Sequence, residues 1–355
     1  MRYVDLPLES CGTGPKVSVL GFGGGALMGR TGRKDSLTAL TAAYDAGITF
    51  YDTARSYGYG EGESLLGEFL QGRRQSAVLC TKFGILPTGN GGWKQRIKPM
   101  AQGLIRLFPG LRRYARRQAA GQIQAGQFSL EVLRTSFEAS LRALGTDYVD
   151  MLLLHAAPLE VLDRDDLLEA MGRLVESGKV RMVGISGEQP VIAETLRRKP
   201  KVLTTAQFAL NLTNLEFIDE TSRPEAQRLF LVANHPFGGA EGIHAAAARI
   251  KALRNASSLP AELHEKLAAE DAQLMPEIIL NLILQQTGVS AVVPAMMRPS
   301  SLRSNVLAVE RCRFTKGELE LLRQELIRHH GPDRPEAEAA TAADGPQAAW
   351  RAPSE

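Results

Sequence analysis

The sequence predicts an α/β protein built as a (β/α)8 TIM barrel, and three observations carry that expectation. Apolar runs of strand length alternate with segments of helical period through most of the chain. Eight such runs stand out, and eight βα units in series can close into a barrel. The length of 355 residues exceeds the roughly 250 of a plain barrel by enough for one insertion and a tail. One domain over residues 1–330 and a tail over 331–355 are therefore expected.

The strands are expected at Val17–Gly21, Ile48–Asp52, Ala77–Lys82, Tyr148–His155, Val180–Ser186, Val202–Gln207, Leu229–Ala233 and Ala291–Pro294. Amphipathic helices are expected between them, at Ser36–Ala46, Glu63–Leu70, Leu130–Leu144, Asp165–Ser177, Val191–Arg198, Met275–Gln286 and Ser300–Val309. Gly47 and Gly178 sit where a helix must stop before a strand begins. Pro224 interrupts any long helix between Phe208 and Arg228, so the sixth unit should be short or irregular. Ile243–Leu274 offers room for several helices in the seventh unit.

Composition excludes whole classes. With 44% hydrophobic and 23% charged residues the chain is neither disordered throughout nor collagen-like nor a coiled coil. No apolar run reaches membrane-spanning length, and Asp5 and Glu9 interrupt the start where a secretory signal needs an apolar stretch. A soluble cytoplasmic protein without membrane insertion is the expectation. Cys11, Cys80 and Cys312 lack the spacing of zinc ligands or of a disulfide framework, so no metal site is expected.

The net charge of +3 is unevenly placed. Lys94, Arg96, Lys98, Arg106, Arg112, Arg113, Arg116 and Arg117 put eight positive charges and no negative one between Gly84 and Phe128, leaving −5 for the rest. This basic insert, residues 85–127, follows the third predicted strand. It reads as a lid over the barrel mouth facing an anionic substrate or carrier, as a solvated excursion, or as a contact for an anionic membrane surface. Trp93, Phe108 and Tyr114 lie among its cations, but no nucleic-acid module accompanies them, so no nucleic-acid partner is expected. From Pro332 onward, eight alanines and four prolines in 24 residues cannot bury enough surface to offset ordering entropy, and this tail reads as disordered.

Active sites of such barrels lie at the C-terminal ends of the strands. The polar residues there are Asp52, Lys82, His155, Ser186 and Gln207, with Tyr57 five residues beyond Asp52. A cation beside a phenol favours the phenolate and lowers its pKa from the ordinary 10 or so, so Lys82 beside Tyr57 would ready the phenol to donate a proton. Asp52 would hold Lys82, and His155 could hydrogen-bond a carbonyl oxygen. Taken singly, Asp52 reads as a turn residue, Lys82 as a surface lysine and His155 as a core histidine. Their joint place on three consecutive predicted strand ends is what favours a site.

At these residues the chain resembles the aldo-keto reductases. The stretch from Gly47 to Gly58 (GITFYDTARSYG) looks like the segment that bears the family's catalytic aspartate and tyrosine. Cys80–Gly84 (CTKFG) looks like its lysine strand, and Ser140–His155 (SLRALGTDYVDMLLLH) like the helix and strand that end in its histidine. The resemblance runs from about Tyr3 to about Val309. It implies reduction of an aldehyde or ketone, or the reverse oxidation, with a small-molecule carbonyl or alcohol as substrate. It implies NADP(H) as cofactor, with NAD(H) as the alternative. Ser186 and Gln207 match residues that hold the nicotinamide carboxamide, while Gly187 stands where the family usually has Asn. Ala233–Phe237 (ANHPF) replaces a stretch whose tyrosine stacks on the nicotinamide; Asn234 lacks that ring, and His235 or Phe237 would take its place. Val293–Asn305 resembles the segment around the 2′-phosphate, where Ala295, Met296 and Ser301 replace residues common there and Arg298, Arg303 and Asn305 remain as candidate contacts.

Gly21–Ala26 (GFGGGA) also matches the loose dinucleotide fingerprint G-x-G-x-x-[GA]. A Rossmann dehydrogenase would need an acidic strand-end residue about 20 positions later, and that window is a helix end. These glycines, Gly23 among them, read instead as a close-packed first βα turn beside the cofactor. A nucleotide-binding regulatory or redox-sensing protein of the same fold with little turnover is the remaining alternative.

Overall fold

The computed structural model describes residues 1–8, 13–87, 123–268 and 272–328. Most of the basic insert, the tail and Cys11 lie outside the described residues.

Eight parallel strands form one sheet: β3 (Phe22–Gly23), β4 (Phe50–Asp52), β5 (Val78–Phe83), β8 (Val149–His155), β9 (Val180–Ser186), β10 (Leu203–Ala209), β11 (Phe230–Asn234) and β12 (Val289–Val293). Each pairs with its neighbour in this order. The sheet closes where Gly21 N donates to Val292 O at 2.8 Å and Val292 N to Val19 O at 2.8 Å, around a parallel bridge between Leu20 and Val292. This is the expected (β/α)8 barrel.

The helices between strands are α1 (Arg33–Asp45), α2 (Gly62–Leu70), α3 (Leu130–Leu144), α4 (Asp165–Glu176), α5 (Gln189–Arg198) and the five-residue α6 (Phe217–Thr221). The seventh unit holds three, α7 (Gly239–Leu253), α8 (Ala261–Ala268) and α9 (Leu274–Gln286), and α10 (Pro299–Glu310) follows the last strand. Ser129 caps α3, its hydroxyl accepting from Val132 N at 3.2 Å. Gly47 (φ 81°) and Gly178 (φ 73°), placed by the sequence where a helix gives way to a strand, take positive-φ backbone there. A last helix, α11 (Lys316–Arg328), lies beyond the predicted elements and buries Leu319, Leu322 and Leu326.

Period-two alternation sorts the strand residues into two layers. Phe50, Val78, Cys80, Met151, Leu153, Met182, Phe230, Val232, Ala291 and Val293 fill the barrel interior. Their outward neighbours, among them Tyr51, Leu79, Leu152, Leu154, Ile185 and Leu231, meet the helices. Two residues onward from inner members lie Asp52, Lys82, His155 and Asn234, so the same parity that packs the interior delivers polar groups to its C-terminal mouth.

The opposite end is closed by a hairpin that the strand-length runs did not indicate. β1 (Tyr3–Pro7) pairs antiparallel with β2 (Thr13–Ser18), and Leu6 and Val17 join the interior cluster. The expected strand Val17–Gly21 is therefore split between hairpin and barrel. The break falls at Ser18, whose hydroxyl donates to Leu20 O, two residues ahead, at 2.7 Å and accepts from Thr49 N at 3.0 Å.

After β5 a short antiparallel pair, β6 (Leu86–Pro87) with β7 (Ile123–Gln124), roots the basic insert at the mouth. Gly84 (φ 108°) makes this departure possible, since a Cβ there would meet the Phe128 ring at 2.2 Å.

Candidate active site

Four side chains from three strand ends converge at the mouth. Lys82 Nζ donates to Asp52 Oδ1 at 2.6 Å and to Thr53 O at 3.0 Å. Both ion-pair partners are buried, the lysine side chain to 1% exposure. The ammonium lies 5.2 Å from the Tyr57 ring centroid, and the Tyr57 and His155 rings meet edge to face at 5.7 Å. The segment after β4 holds Tyr57 in place by continuing to pair with β5: Thr53 N donates to Cys80 O at 2.8 Å and Arg55 N to Lys82 O at 3.4 Å.

Burial and charge compete over the ionisation of this cluster. It raises the Tyr57 pKa, outweighing the lowering pull of Lys82. The expected net lowering of that phenol therefore does not occur here, although Lys82 acts in the expected direction. Burial also works against the Lys82 charge, but attraction to Asp52 and Tyr57 prevails and its pKa is raised. His155 is pushed down to about 3 by burial and then by Lys82, so its imidazole is neutral at ordinary pH. Its Nδ1 is buried without a hydrogen-bond partner among the described residues. The arrangement is a protonated phenol, a fixed ammonium and a neutral imidazole side by side.

Beside it lies a cavity of about 400 Å³ lined by Tyr57, His155, Ser186, Gln207, Asn234 and His235, among others. Ser186 Oγ donates to Gln207 Oε1 at 3.1 Å, and Gln207 Nε2 donates to Asp52 Oδ1 at 3.0 Å. These two residues thus connect to the lysine pair through one chain of hydrogen bonds. Gly187 lines the cavity with no side chain, and the buried Oδ1 of Asn234 has no partner among the described residues. Phe237 is half-buried against the hydrophobic core. Asn234, Gln189 and Asn214 line the cavity without having been singled out as contacts from sequence; strand parity would have indicated Asn234. A larger groove of about 720 Å³ runs along α5 toward Phe217 and Ala226, but the acid/base groups are not in it.

The glycine run keeps backbone close to backbone. A Cβ at Gly23 would stand 3.0 Å from Pro294 O, and one at Gly24 2.7 Å from Asp52 O. Four of the five non-glycine residues with positive φ among those described, Met28, Tyr59, Ala156 and His235, lie in loops at this same mouth. Such backbone is costly and clusters at functional sites.

The three residues expected near a cofactor phosphate are dispersed. Arg298 is exposed at the N-terminus of α10. Asn305 belongs to the buried face of that helix with Leu302, Ala308 and Val309. Arg303 is on another side, lining a groove with Asp45 and Val306 toward α1. Arg298 and Arg303 are near in sequence, but the helical period turns them apart.

No helix among the described residues is long and apolar enough to cross a membrane. Among those residues no group of three or more His, Cys, Asp or Glu is placed to hold a metal ion.

A closed (β/α)8 barrel with a buried Lys–Asp pair, a tyrosine and a histidine at its C-terminal mouth defines the general class. The chain belongs to the Aldo/keto reductase family, whose model matches residues 19–326. Aldo-keto reductase YhdN of Bacillus subtilis is 30% identical over 221 residues, 61% of this chain and 56% of that protein. Probable aldo-keto reductase 1 of Glycine max is 29% identical over 224 residues, 60% of this chain and 54% of that protein; the chain thus spans about half the length of these curated relatives. Aldo-keto reductase AKR11C1 from Bacillus halodurans, in its holo form, shares the fold with a TM-score of 0.63 and 22% identity, over 92% of this chain and 96% of that one. An aldo/keto reductase from Klebsiella pneumoniae, solved in complex with NADP and acetate, has a TM-score of 0.57 at 22% identity, over 90% of this chain and 94% of that one.

Proposed function

We propose that this protein is an NAD(P)H-dependent carbonyl reductase acting on an aldehyde or ketone, or on the alcohol in reverse. The observation that carries the reading is the Tyr57, Lys82, Asp52 and His155 cluster opening onto the 400 Å³ cavity. A bound nicotinamide dinucleotide supplies or accepts the hydride. The residues present suit its nicotinamide end: Ser186 and Gln207 offer a donor and acceptor pair for a carboxamide, Asn234 Oδ1 is an unsatisfied acceptor, and the glycine turn at Gly23 leaves the backbone bare. His235 and Phe237 are the rings nearest that end of the site in sequence. Of the three residues expected at a phosphate, Arg298, exposed at the N-terminus of α10, is the proposed contact at the far end, while Asn305 sits on the buried face of that helix and Arg303 beside α1. NADP(H) is favoured because a family member carries NADP in its structure.

The protein's own groups then have definite tasks. His155, neutral, hydrogen-bonds the carbonyl oxygen and orients it. Tyr57, still protonated because burial holds its pKa up, gives its phenolic proton to that oxygen as the carbon is reduced. Lys82 stabilises the phenolate left behind, and Asp52 keeps Lys82 charged and in position. Tyr57→Phe removes the proton donor and little else, so kcat should fall by about 10²–10⁴ while nucleotide binding, followed by fluorescence titration, changes little. Wild-type turnover in that variant would refute the assignment. Nucleotide binding by the wild type with no reduction of any simple aldehyde would favour the regulatory alternative.

A further inference from the structure

A buried carboxylate outside the proposed acid/base cluster holds the loop that carries Tyr57. Glu63, on α2, has a fully buried side chain. Its Oε1 accepts from Thr81 Oγ1 at 2.6 Å, and its Oε2 lies 3.5 Å from Arg55 Nη1. Thr81 is the outward-facing neighbour of Lys82 on β5. Arg55 lies between Asp52 and Tyr57, and its Nη1 also donates to Gly60 O at 3.3 Å, on the far side of Tyr57. Its backbone N–H reaches Lys82 O. The loop from residue 53 to residue 60 is thereby fastened at both ends to the lysine strand, and Glu63 is the point where the fastenings meet.

Burial of Glu63 is costly for a carboxylate. It raises the Glu63 pKa against the hydrogen bonds from Thr81 and Ser140 and the charge of Arg55. A leucine at this position would join Leu65, Leu66 and Phe69 in the core. The polar arrangement therefore serves placement better than it serves packing.

We propose that Arg55 and Glu63 are positioning residues for Tyr57: their ion pair sets the separation of the Tyr57 phenol from the Lys82 ammonium. This rests on the reading of Tyr57 as the proton donor. The attraction between phenolate and ammonium falls with distance, so a loosened loop weakens the pull of Lys82 and leaves Tyr57 harder to ionise. Chemistry suffers while binding does not.

Glu63→Gln keeps the side-chain volume and an acceptor for Thr81 but removes the charge that holds Arg55. Arg55→Met is the companion variant, at a side chain that reaches solvent, and it carries the same test if Glu63→Gln does not fold. Incorporating a ring-fluorinated tyrosine at position 57 brings its ionisation into a convenient range, and fluorine NMR then reads the phenol directly in the full-length protein. In either variant the phenol pKa should rise by about 0.5–1 unit relative to the parent. With unmodified Tyr57, kcat should fall roughly tenfold with KM within about twofold. An unchanged fluorine titration with a lowered Tm would overturn the proposal, because a residue that only supports the fold moves Tm alone. If the protein reduces no carbonyl, the functional reading falls while the fluorine titration still decides the positioning role.

Discussion

His155 shows how a single side chain can set the acid stability of the molecule. An unfolded histidine ionises near 6.5, whereas burial holds the folded one near 3. Below about pH 6.5 the unfolded chain takes up a proton that the folded chain refuses. Stability should therefore fall as pH drops from 6.5 toward 3, with a slope of up to about 1.4 kcal/mol per pH unit from this group. His155→Gln has nothing to protonate there, so its Tm should drop less than that of the wild type between about pH 7 and pH 5. Equal drops would show that His155 is protonated in the native state. At this scale the sequence pointed to Asp52, Lys82 and His155 because each ends an apolar run, a lysine or histidine closing a strand being conspicuous, and to Tyr57 by its place in the loop just beyond Asp52. It did not point to Glu63, which in a helix beside Leu65 and Leu66 looks like any solvated acid. Its partner Thr81 is 18 residues away and signals nothing by itself. Nor did it disclose the net direction of the Tyr57 shift, since that depends on how much water the finished mouth excludes.

Elements differ in how they end. α3 stops at Gly145 in the left-handed conformation (φ 63°), where the lack of a Cβ removes the steric cost. α5 stops in the same conformation at Lys199 (φ 52°), half-exposed and 3.9 Å from Glu225. That exposed ion pair is worth little. Lys199→Gly should stabilise the protein by about 0.5–1 kcal/mol and raise Tm by roughly 1–3 °C, with kcat unchanged; a lower Tm in a thermal scan would contradict this. The helices and inner strands could be read from periodicity because each buries a stripe or a face. The hairpin strand β1 could not, since Leu6 is its one buried side chain and a single leucine makes no pattern. The run through Val17, Val19 and Leu20 hid the turn at Ser18 for the converse reason: hairpin and barrel strand are both apolar where they meet.

The whole molecule separates its two ends. The hairpin buries Leu6 among the interior residues at one end, and the acid/base groups stand at the other. Leu6→Ala should cost about 2–5 kcal/mol in denaturant unfolding. Below the unfolding transition kcat should stay within about twofold of wild type, because no group at the mouth is disturbed. A large loss of kcat in a fully folded variant would mean that the two ends are coupled through the interior. The barrel and its mouth followed from the alternation of elements in the sequence, whereas the plug beneath became visible only once its leucine was seen inside the ring.

With its interior packed and the hairpin beneath it, the barrel is open at the mouth alone. Nothing can pass through it, so whatever reaches Lys82 must leave over the rim by which it came. On the proposed reading a nucleotide and a carbonyl would share that one rim, and the one seated deeper would arrive first and depart last.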